Sequence, residues 1–303
     1  MPSKPPDRSA APRAARGGTL EVPILRARAD RAAPEQDLVA VEAPLEIQLQ
    51  HPAFGEEPVS FGATMRTPGD DEALAAGLLY GEGIVQSRDD IVAIEAGTRR
   101  PNVVYLRLRP DLEIDVPFAA RRFSAGAACG VCGTTGLDAA IARAAAIRID
   151  PGEPFEVERL LDLPQRMRAA QTRFGETGGI HCTALFDRAG NLESATEDVG
   201  RHNAFDKIVG RALLEGRLPL AERVALLSGR ASFELVQKAL RAGIPVLAAI
   251  GAPSSLAVQL ASTAGLTLAG FLRDRQCNVY SHAERLRTGG RPLDARDRDH
   301  FTS

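Results

Sequence analysis

Cysteine is scarce in this chain, with four residues in 303. Small secreted scaffolds are held together by many regularly spaced cysteines, and four unevenly spaced ones do not provide such a framework. The spacing therefore favours a reducing compartment, and we expect the protein to be cytoplasmic.

Long apolar runs and an excess of charge of one sign are also lacking. No uninterrupted apolar stretch approaches the roughly 18–20 residues that a membrane-spanning helix needs, so we expect no membrane association. The formal net charge of −2 gives no global positive field that would attract nucleic acid. The basic residues 1–20, rich in alanine and proline, lack the apolar core of a secretory signal and are interpreted as a disordered tail. The remaining composition, 44% hydrophobic and 25% charged, is typical of a soluble globular protein.

Strand patterns dominate the first half of the chain. Leu45, Ile47 and Leu49 alternate with polar residues, which is the period of a half-buried strand. Similar patterns predict strands over residues 21–26, 39–49, 59–66, 102–109 and 112–116. A helix is expected after Asp70, which is a plausible cap. We therefore predict a mainly β N-terminal subdomain of α+β character over residues 21–125.

The second half alternates strands with helices, which predicts an α/β fold. A helix over 137–147, another over 155–173 and a hairpin over 180–196 come first. The pattern then continues with helix 202–214, strand 224–227, helix 232–241, strand 246–250, helix 254–263 and strand 266–271. Alternation of this kind implies a βαβαβ unit with a parallel sheet and right-handed crossovers. The α/β domain is expected over residues 137–290, with a C-terminal tail over 291–303.

Polar turns follow each of the three predicted parallel strands. The carboxyl ends of parallel strands share one edge of the sheet, and ligands bind outside that edge. The candidate residues in these turns are Ser228, Arg230, Ser254, Ser255, Arg273 and Arg275. Two of the turns open helices, whose amino ends favour anions, and arginine pairs well with phosphate. A serine at a helix start is by itself usually only a cap, so it is the convergence of the turns that predicts a phosphate-bearing ligand.

A Cys-x-x-Cys pair, Cys129 and Cys132, lies between the two halves. Two glycines beside the cysteines predict a mobile loop over residues 126–136. Two arginines just upstream favour the thiolate, which is the reactive form of cysteine. The pair therefore indicates sulfur chemistry: disulfide exchange, persulfide carriage or metal ligation.

Zinc and thioredoxin-like chemistry are the generic alternatives for this pair. A structural zinc site needs four ligands, and the sequence has no second pair at the required spacing. Zinc nucleobase deaminases use His-x-Glu ahead of Pro-Cys-x-x-Cys, whereas here His282-Ala-Glu284 follows the cysteines and Ala128 replaces the proline. A thioredoxin-like site would lie within an early βαβ unit, but strands of antiparallel character precede this pair. We therefore expect no bound metal.

Two further features allow either a structural or a functional interpretation. The run from Glu197 to Lys207 is rich in ionisable and amide side chains, which usually form a solvated face. Its position between a strand and a helix instead favours a site at Arg201, His202 and Asn203. His181 on a predicted strand is more often a satisfied structural residue than a ligand.

Several of these stretches together resemble the FdhD family, the formate dehydrogenase accessory sulfurtransferases. The matching stretches run in family order over about residues 40–285, and the blocks at 197–203 and 228–234 are the most specific. They are Thr67-Pro-Gly-Asp-Asp-Glu72, Gly81-Glu-Gly-Ile84, Cys129-Gly-Val-Cys-Gly133, Thr177-Gly-Gly-Ile-His181, Glu197-Asp-Val-Gly-Arg-His-Asn203 with Asp206-Lys207, Ser228-Gly-Arg-Ala-Ser-Phe-Glu234, Ala252-Pro-Ser-Ser-Leu-Ala257 and Asn278-Val-Tyr-Ser281.

The resemblance implies a cytoplasmic dimer with a cytidine-deaminase-like core that lacks zinc chemistry. Such a protein takes persulfide sulfur from a cysteine desulfurase and passes it to molybdenum bis(molybdopterin guanine dinucleotide), the cofactor of a formate dehydrogenase. The persulfide is expected on Cys129, with Cys132 assisting. The cofactor-binding residues it implies, with those of the polar turns, are Phe271, Leu272, Arg273, Asp274, Arg275, Gln276, Ser228, Arg230, Ser254, Ser255 and His202. A guanine nucleotide alone could occupy this site.

Other functions remain open on the sequence. A non-catalytic chaperone would bind the cofactor and the dehydrogenase without carrying sulfur, and a deaminase-type enzyme would need stoichiometric zinc. The sequence does not decide whether Cys132 releases sulfide by attacking the persulfide or helps to transfer it. Cys182 and Cys277 lie outside the shared cysteine motif, and we expect neither to have a role.

Overall fold

A computed structural model describes residues 14–15, 18–114, 147, 149 and 152–293 of the chain. The helices are α1 (Asp71–Glu82), α2 (Val157–Ala170), α3 (Thr172–Thr177), α4 (Arg201–Leu214), α5 (Phe233–Arg241) and α6 (Ser255–Ala264), with 3-10 turns at Pro52–Phe54, Arg88–Asp90 and Ala283–Arg285. The strands are β1 (Ala14–Ala15), β2 (Thr19–Ala27), β3 (Ala32–Ala40), β4 (Ala43–Gln50), β5 (Val59–Arg66), β6 (Ile91–Ala96), β7 (Val103–Leu108), β8 (Phe155–Glu156), β9 (His181–Phe186), β10 (Leu192–Asp198), β11 (Val224–Leu227), β12 (Val246–Ala249), β13 (Thr267–Arg273), β14 (Gln276–Ser281), β15 (Leu286–Thr288) and β16 (Arg291–Pro292).

The largest sheet has six strands in the order β10-β9-β11-β12-β13-β14. Its centre, β11, β12 and β13, is parallel, with α5 and α6 as the crossovers, so the predicted βαβαβ unit is present. The hairpin β9–β10 and strand β14 add antiparallel strands on the two sides. The fold is therefore mixed α/β, and a closer likeness to cytidine deaminases stays a prediction.

The smaller sheets differ more from the sequence-based expectation. The strand predicted over 39–49 is divided between β3 and β4, and strand β6 was not predicted. Residues 112–114, the described part of the strand predicted over 112–116, are not in a strand. Strand β2 begins at Thr19, and β16 ends at Pro292, each two residues beyond the expected domain limits. The helix predicted over 137–147 and the loop over 126–136 lie outside the described residues, apart from Ile147, which is not helical.

The helix predicted over 155–173 is in fact two helices. Helix α2 continues through Pro164 and ends at Ala170, and Gln171, with ψ of 79°, separates it from α3. A proline within a helix removes one backbone hydrogen bond without always ending the helix. The break at Gln171 turns α3 toward β10, where it contributes to the candidate site.

Two hydrophobic clusters lie on opposite faces of the six-stranded sheet. The larger one joins Leu45 of β4, Leu74 of α1, Phe205 of α4 and Leu268 of β13, so both halves of the chain share a core. The smaller one lies between the sheet and α2. Neighbouring strand residues point to opposite faces, which is why adjacent side chains contribute to different clusters.

The closest contact between the two halves is the crossing of α1 and α4. A Cβ atom on Gly77 would lie 1.9 Å from the Asp206 carbonyl oxygen, and one on Gly210 would lie 1.8 Å from the Ala73 carbonyl oxygen. Real Cβ atoms do not approach backbone this closely, so the crossing requires glycine on both helices. The four-stranded sheet β5-β4-β7-β6, which we call the N-terminal sheet, is thereby held against the helix that carries the Arg201–His202 pair.

We expect Gly77→Ala to lower the free energy of unfolding by about 3 kcal/mol, because the added methyl group forces the two helices apart. Gly175→Ala, also within a helix but with nothing within 4 Å of its Cβ position, is the matched control and should be neutral or slightly stabilising. Urea unfolding of both variants measures the difference. Equal midpoints would contradict the role of the crossing.

Candidate functional site

The three polar turns predicted from sequence meet at one edge of the six-stranded sheet. The Gly251 amide donates to the Gly229 carbonyl at 3.0 Å, and the Phe271 amide donates to the Gly251 carbonyl at 3.1 Å. The Ser254 amide donates to the Ala231 carbonyl at 3.0 Å. We call this surface, formed by residues 228–231, 251–255 and 271–276 with the adjoining ends of β9 and α4, the strand-end edge. Its turns are tied together by main-chain hydrogen bonds.

Glycine makes this close association of the turns feasible. A Cβ atom on Gly251 would lie 3.0 Å from the Gly229 carbonyl oxygen, and one on Gly270 would lie 2.9 Å from Cδ of Pro253. Both positions lack room for a side chain, because neighbouring backbone or a proline ring occupies the space. The edge is therefore a densely packed backbone platform.

Residues 271–276 form a hairpin at this edge. Asp274 and Arg275 occupy its tip with φ of 52° and 53°, as a two-residue turn between paired strands requires. Phe271, at an irregularity of β13, also has a positive φ of 52°. This angle is rare for an aromatic residue and is typical of positions where the surrounding structure imposes it.

The side chains of this hairpin divide by orientation. Leu272 is fully buried in the smaller core cluster, so its side chain is not available to a ligand. This corrects the expectation for Leu272. Arg275 is ion-paired with Asp162 of α2. Arg273 is exposed, with its guanidinium carbon 5.8 Å from the centre of the Phe271 ring. Arg273 is therefore the cation of the hairpin best placed for a ligand, next to exposed Asp274 and Gln276.

The serines of the edge make mainly structural hydrogen bonds. The Ser254 hydroxyl accepts from the Ala257 amide at 3.3 Å and so caps α6. The Ser228 hydroxyl accepts from the Cys182 amide at 2.9 Å, which fastens the turn to β9. Ser255 and Arg230 are exposed at the same surface. Within the described part of the chain, the Ser255 and Arg230 side chains make no hydrogen bond of this kind and are therefore free to contact a ligand.

The charged run that begins at Glu197 is buried and paired, not solvated. The Glu197 carboxylate accepts from the Arg173 and Phe174 amides at 3.0 and 2.8 Å, so it caps α3. The Asp198 carboxylate lies 2.7 Å from the Lys207 ammonium, and both side chains are almost fully buried. The residue types in this family-specific stretch are therefore explained largely by the hydrogen bonds and the ion pair that they form within the fold.

This ion pair also fixes the loop that leads into α1. The Thr67 amide donates to Asp198 at 3.1 Å, and the Lys207 ammonium donates to the Thr67 carbonyl at 2.9 Å. Asn203 donates to the Met65 carbonyl at 2.7 Å and to Asp198 at 3.0 Å. Asn203, which the sequence placed with Arg201 and His202 as a site residue, therefore contacts the N-terminal sheet instead.

His202 does lie at the strand-end edge. Its Nε2 is 3.3 Å from the Ser232 hydroxyl and 3.9 Å from the Glu234 carboxylate. Because both groups face the same ring nitrogen, the arrangement is not that of a Ser-His-acid triad. Burial, followed by the nearby charges of Arg201 and Lys238, lowers the pKa of His202 to about 4. The imidazole is therefore neutral near pH 7.

His181, which the sequence favoured as a structural residue, also lies at the strand-end edge. A Cβ atom on Gly229 would lie 3.4 Å from the His181 ring, so the imidazole lies against the turn after β11. Burial and the Arg201 charge lower the pKa of His181. The preceding Gly178-Gly179 pair, which leaves room at the start of β9, was the available sequence signal. His181 belongs to the same edge as His202.

A cleft of about 540 Å³ opens beside His181 on the α2 side of the sheet. Its lining residues are Pro164, Met167, Arg168, Gln171, Phe174, Gly178, Gly179, Ile180, His181, Val199, Ser228 and Ile250. The Arg168 guanidinium lies 4.4 Å from the centre of the Phe174 ring. An apolar cleft with a few polar groups at one end is the usual form of a small-molecule site.

The four cysteines divide into two classes. Cys129 and Cys132 lie outside the described residues. Burial raises the pKa of the Cys182 thiol to about 12 and also raises the pKa of Cys277. Both thiols are therefore protonated near pH 7 and poorly nucleophilic.

Within the described ranges, no group of three or more His, Cys, Asp or Glu residues is arranged to hold a metal ion. Both ring nitrogens of His282 are engaged, one with Glu284 and the other with the Ser262 carbonyl, each at 2.9 Å. Nor does any helix in that same part of the chain combine the length and apolarity needed to cross a bilayer.

We expect Lys207→Met to lower the free energy of unfolding by about 3 kcal/mol, because it leaves the buried Asp198 carboxylate without its counter-charge. Arg217→Met removes a half-exposed ion pair with Glu215 and Glu193, and is expected to change stability by less than about 1 kcal/mol. Chemical unfolding of the two variants gives the comparison. If Lys207→Met lowers the free energy of unfolding by as little as Arg217→Met does, the buried ion pair is not a structural requirement.

A family model and the individual relatives of this chain indicate the same protein family. A model of the FdhD/NarQ family matches residues 40–287. Sulfur carrier protein FdhD from Streptomyces avermitilis is 47% identical over 272 residues, which cover 87% of this chain and 94% of that protein. Sulfur carrier protein FdhD from Saccharolobus solfataricus is 39% identical over 263 residues, covering 87% and 96%.

A solved structure has a similar fold. The crystal structure of a candidate formate dehydrogenase accessory protein from Desulfotalea psychrophila matches with a TM-score of 0.68 and 23% identity. The match covers 89% of this chain and all of that one. The family match spans the N-terminal sheet, the cysteine pair and the whole six-stranded sheet, and the chain belongs to the FdhD/NarQ family.

Proposed function

We propose that this protein is a sulfur carrier in formate dehydrogenase maturation, as the names of its relatives suggest. The observation that carries the proposal is the division of its cysteines. Cys182 and Cys277 have buried thiols with raised pKa values, whereas Cys129 and Cys132 are separated in the sequence by two residues, adjoin glycines, and follow Arg121 and Arg122. Only the second pair has the sequence environment of a reactive thiolate.

The proposed reaction is thiol–persulfide exchange. The Cys129 thiolate attacks the terminal sulfur of a persulfide on a cysteine desulfurase, whose own cysteine leaves as a thiolate. Cys129 then carries the persulfide. Attack of Cys132 on the inner sulfur forms a Cys129–Cys132 disulfide and releases hydrosulfide with the electron pair of the broken bond. A cellular thiol reductant restores the two cysteines.

The acceptor of this sulfur is proposed to be molybdenum bis(molybdopterin guanine dinucleotide), bound as a substrate at the strand-end edge. Arg230 and Arg273 are exposed there, and arginine pairs with phosphate through two parallel hydrogen bonds. The amino ends of α5 and α6 add partial positive charge. Phe271 and Ser255 complete the proposed contacts, and His202 borders them.

The partners follow from this role. We propose a cysteine desulfurase as donor and a formate dehydrogenase as the protein served, in the cytoplasm, with the carrier acting as a homodimer. A chaperone that binds cofactor without carrying sulfur is the alternative that the next experiment distinguishes.

Incubation of Cys132→Ala with a desulfurase and cysteine is expected to add about 32 Da, one sulfur atom, to the intact mass, because the Cys129 thiolate accepts sulfane sulfur and no Cys132 thiol is present to release it. Adding Cys129→Ala to this variant should abolish the adduct. Adding Cys182→Ala or Cys277→Ala instead gives the matched controls, which should retain it, since burial keeps both thiols protonated. Dehydrogenase activation is measured in parallel. An adduct that survives in Cys129→Ala/Cys132→Ala, or full activation by that variant, would contradict sulfur carriage and favour the chaperone.

Arg273→Ala is expected to weaken the binding of guanosine diphosphate by about tenfold, because a charge-assisted hydrogen bond to phosphate contributes roughly 1.5–3 kcal/mol. Isothermal titration calorimetry gives the affinity. Arg217→Ala, on the surface near β10, is the control and should bind as the unsubstituted protein does. Unchanged affinity in an Arg230→Ala/Arg273→Ala variant would exclude this edge as the phosphate site.

A further inference from the structure

Three side chains at the strand-end edge form a compact basic cluster: His181 of β9 with Arg201 and His202 of α4. We call it the His-Arg-His cluster. The His181 ring lies against Gly229, and the His202 ring nitrogen Nε2 lies 3.3 Å from the Ser232 hydroxyl, so both imidazoles border the turn after β11. Arg201 precedes His202 in the first turn of α4, and its Nε atom is buried. The cluster is centred on the first turn of a helix of 14 residues.

One hydrogen-bond donor of this cluster has no partner among the described residues. Arg201 Nε is buried and has no partner within the described part of the chain. Gly200, the residue before α4, supplies no side-chain cap to the helix. The Ser232 hydroxyl, which could cap α5, lies against His202 instead. A buried donor without an acceptor is unfavourable, and an anion at this point would supply one.

The charged groups around the cluster come from three elements. Arg201 is on the same helix as His202, and Glu234 and Lys238 face His202 from α5. Asp198 of β10 and Arg201 act on His181. Asp198 and Lys238 are already engaged in ion pairs, with Lys207 and Asp206. Glu234 is thus the one carboxylate near His202 among the described residues, and it balances a single positive charge.

We propose that His181, Arg201 and His202 bind a divalent oxyanion of the phosphoryl type, and that the two imidazoles take up protons as it binds. The inference rests on the proposed function in one respect: the natural ligand is taken to carry phosphoryl groups. The cleft beside His181 then has room for the rest of the ligand.

The coupling between anion binding and protonation of the two imidazoles determines how the affinity changes with pH. Without an anion, burial and the Arg201 charge keep the pKa of both imidazoles low, so they are neutral near pH 7. A bound dianion offsets the Arg201 charge and accepts hydrogen bonds from the protonated rings, which raises their pKa. Binding therefore consumes protons, and the affinity falls as the pH rises through the pKa of the bound state. For each proton taken up on binding, the affinity falls by up to tenfold for every unit by which the pH rises.

The experiment uses sulfate as the first probe and the full-length protein. Sulfate remains a dianion from about pH 5 to about pH 8, so any change of its affinity over this range reports protein groups. Calorimetry in two buffers of different ionisation enthalpy counts the protons taken up, and proton NMR of the histidines follows their pKa values. We expect at least a tenfold loss of sulfate affinity across the range, with proton uptake.

Variants assign the protons to residues. His202→Gln and His181→Gln should each reduce the uptake, and Arg201→Gln should abolish sulfate binding. His282→Gln is the matched control, because His282 follows β14 at the opposite edge of the sheet, where Ser281 pairs with Leu268. It should leave affinity and uptake unchanged. If Arg201→Gln does not fold, the NMR titration of the unsubstituted protein remains decisive.

A second arm distinguishes the sources of the anion. If the cluster receives the diphosphate of a nucleotide, guanosine diphosphate competes with sulfate and its binding takes up protons. If it receives a free oxyanion, sulfate binds but the nucleotide does not compete; both results support the cluster. Sulfate binding without an upward shift of either histidine pKa, or uptake unchanged in His181→Gln/His202→Gln, would overturn the proposal. The persulfide adduct is measured in a separate experiment. A result that contradicts sulfur carriage therefore leaves the anion site untouched, and a result that contradicts the anion site leaves sulfur carriage untouched.

Discussion

The buried ion pair between Asp198 and Lys207 is the interaction on which the rest of the structure depends. Two charges removed from water are stable only when each is fully hydrogen-bonded. Here the partners come from the end of β10, from α4 and from Thr67 at the entrance to α1. The pair therefore sets the position of α4 relative to the N-terminal sheet. Arg201 and His202, at the start of the same helix, reach the strand-end edge as a consequence.

The strand-end edge combines a rigid base with exposed cations. Main-chain hydrogen bonds between the turns at Gly229, Gly251 and Phe271 leave little freedom in the backbone. The cations above it are of two kinds: exposed arginines on the turns and the partly buried Arg201 at the start of α4, next to His202. A site of this kind presents fixed charge to a ligand without a large reorganisation, which is how binding proteins limit the entropic loss on association.

The parts of this molecule that the sequence predicts are those governed by local pattern. The continuous apolar runs of β11 and β12, each followed by an amphipathic helix, correctly indicate a parallel βαβαβ unit. Strand β2 was predicted over 21–26, whereas β6 and most of β3 escape prediction; β3 is largely exposed and shows little apolar alternation. Leu272 was assigned to the site through the resemblance to the FdhD family, and Asn203 through its place between a strand and a helix. Their true environments depend on tertiary contacts that spacing does not encode.

The hairpin β2–β3 has one more consequence. Within the described residues β3 is an edge strand, with Pro34, Glu35 and Asp37 near its centre. Proline cannot donate a ladder hydrogen bond, and carboxylates on an edge repel an approaching strand of the same kind. Leu25 is exposed on the neighbouring strand, so an unprotected edge here would invite intermolecular pairing. Pro34 and Asp37 thus disfavour pairing of the β3 edge with a strand of a second chain, whereas Glu35 is neutralised by Arg26 and Arg28.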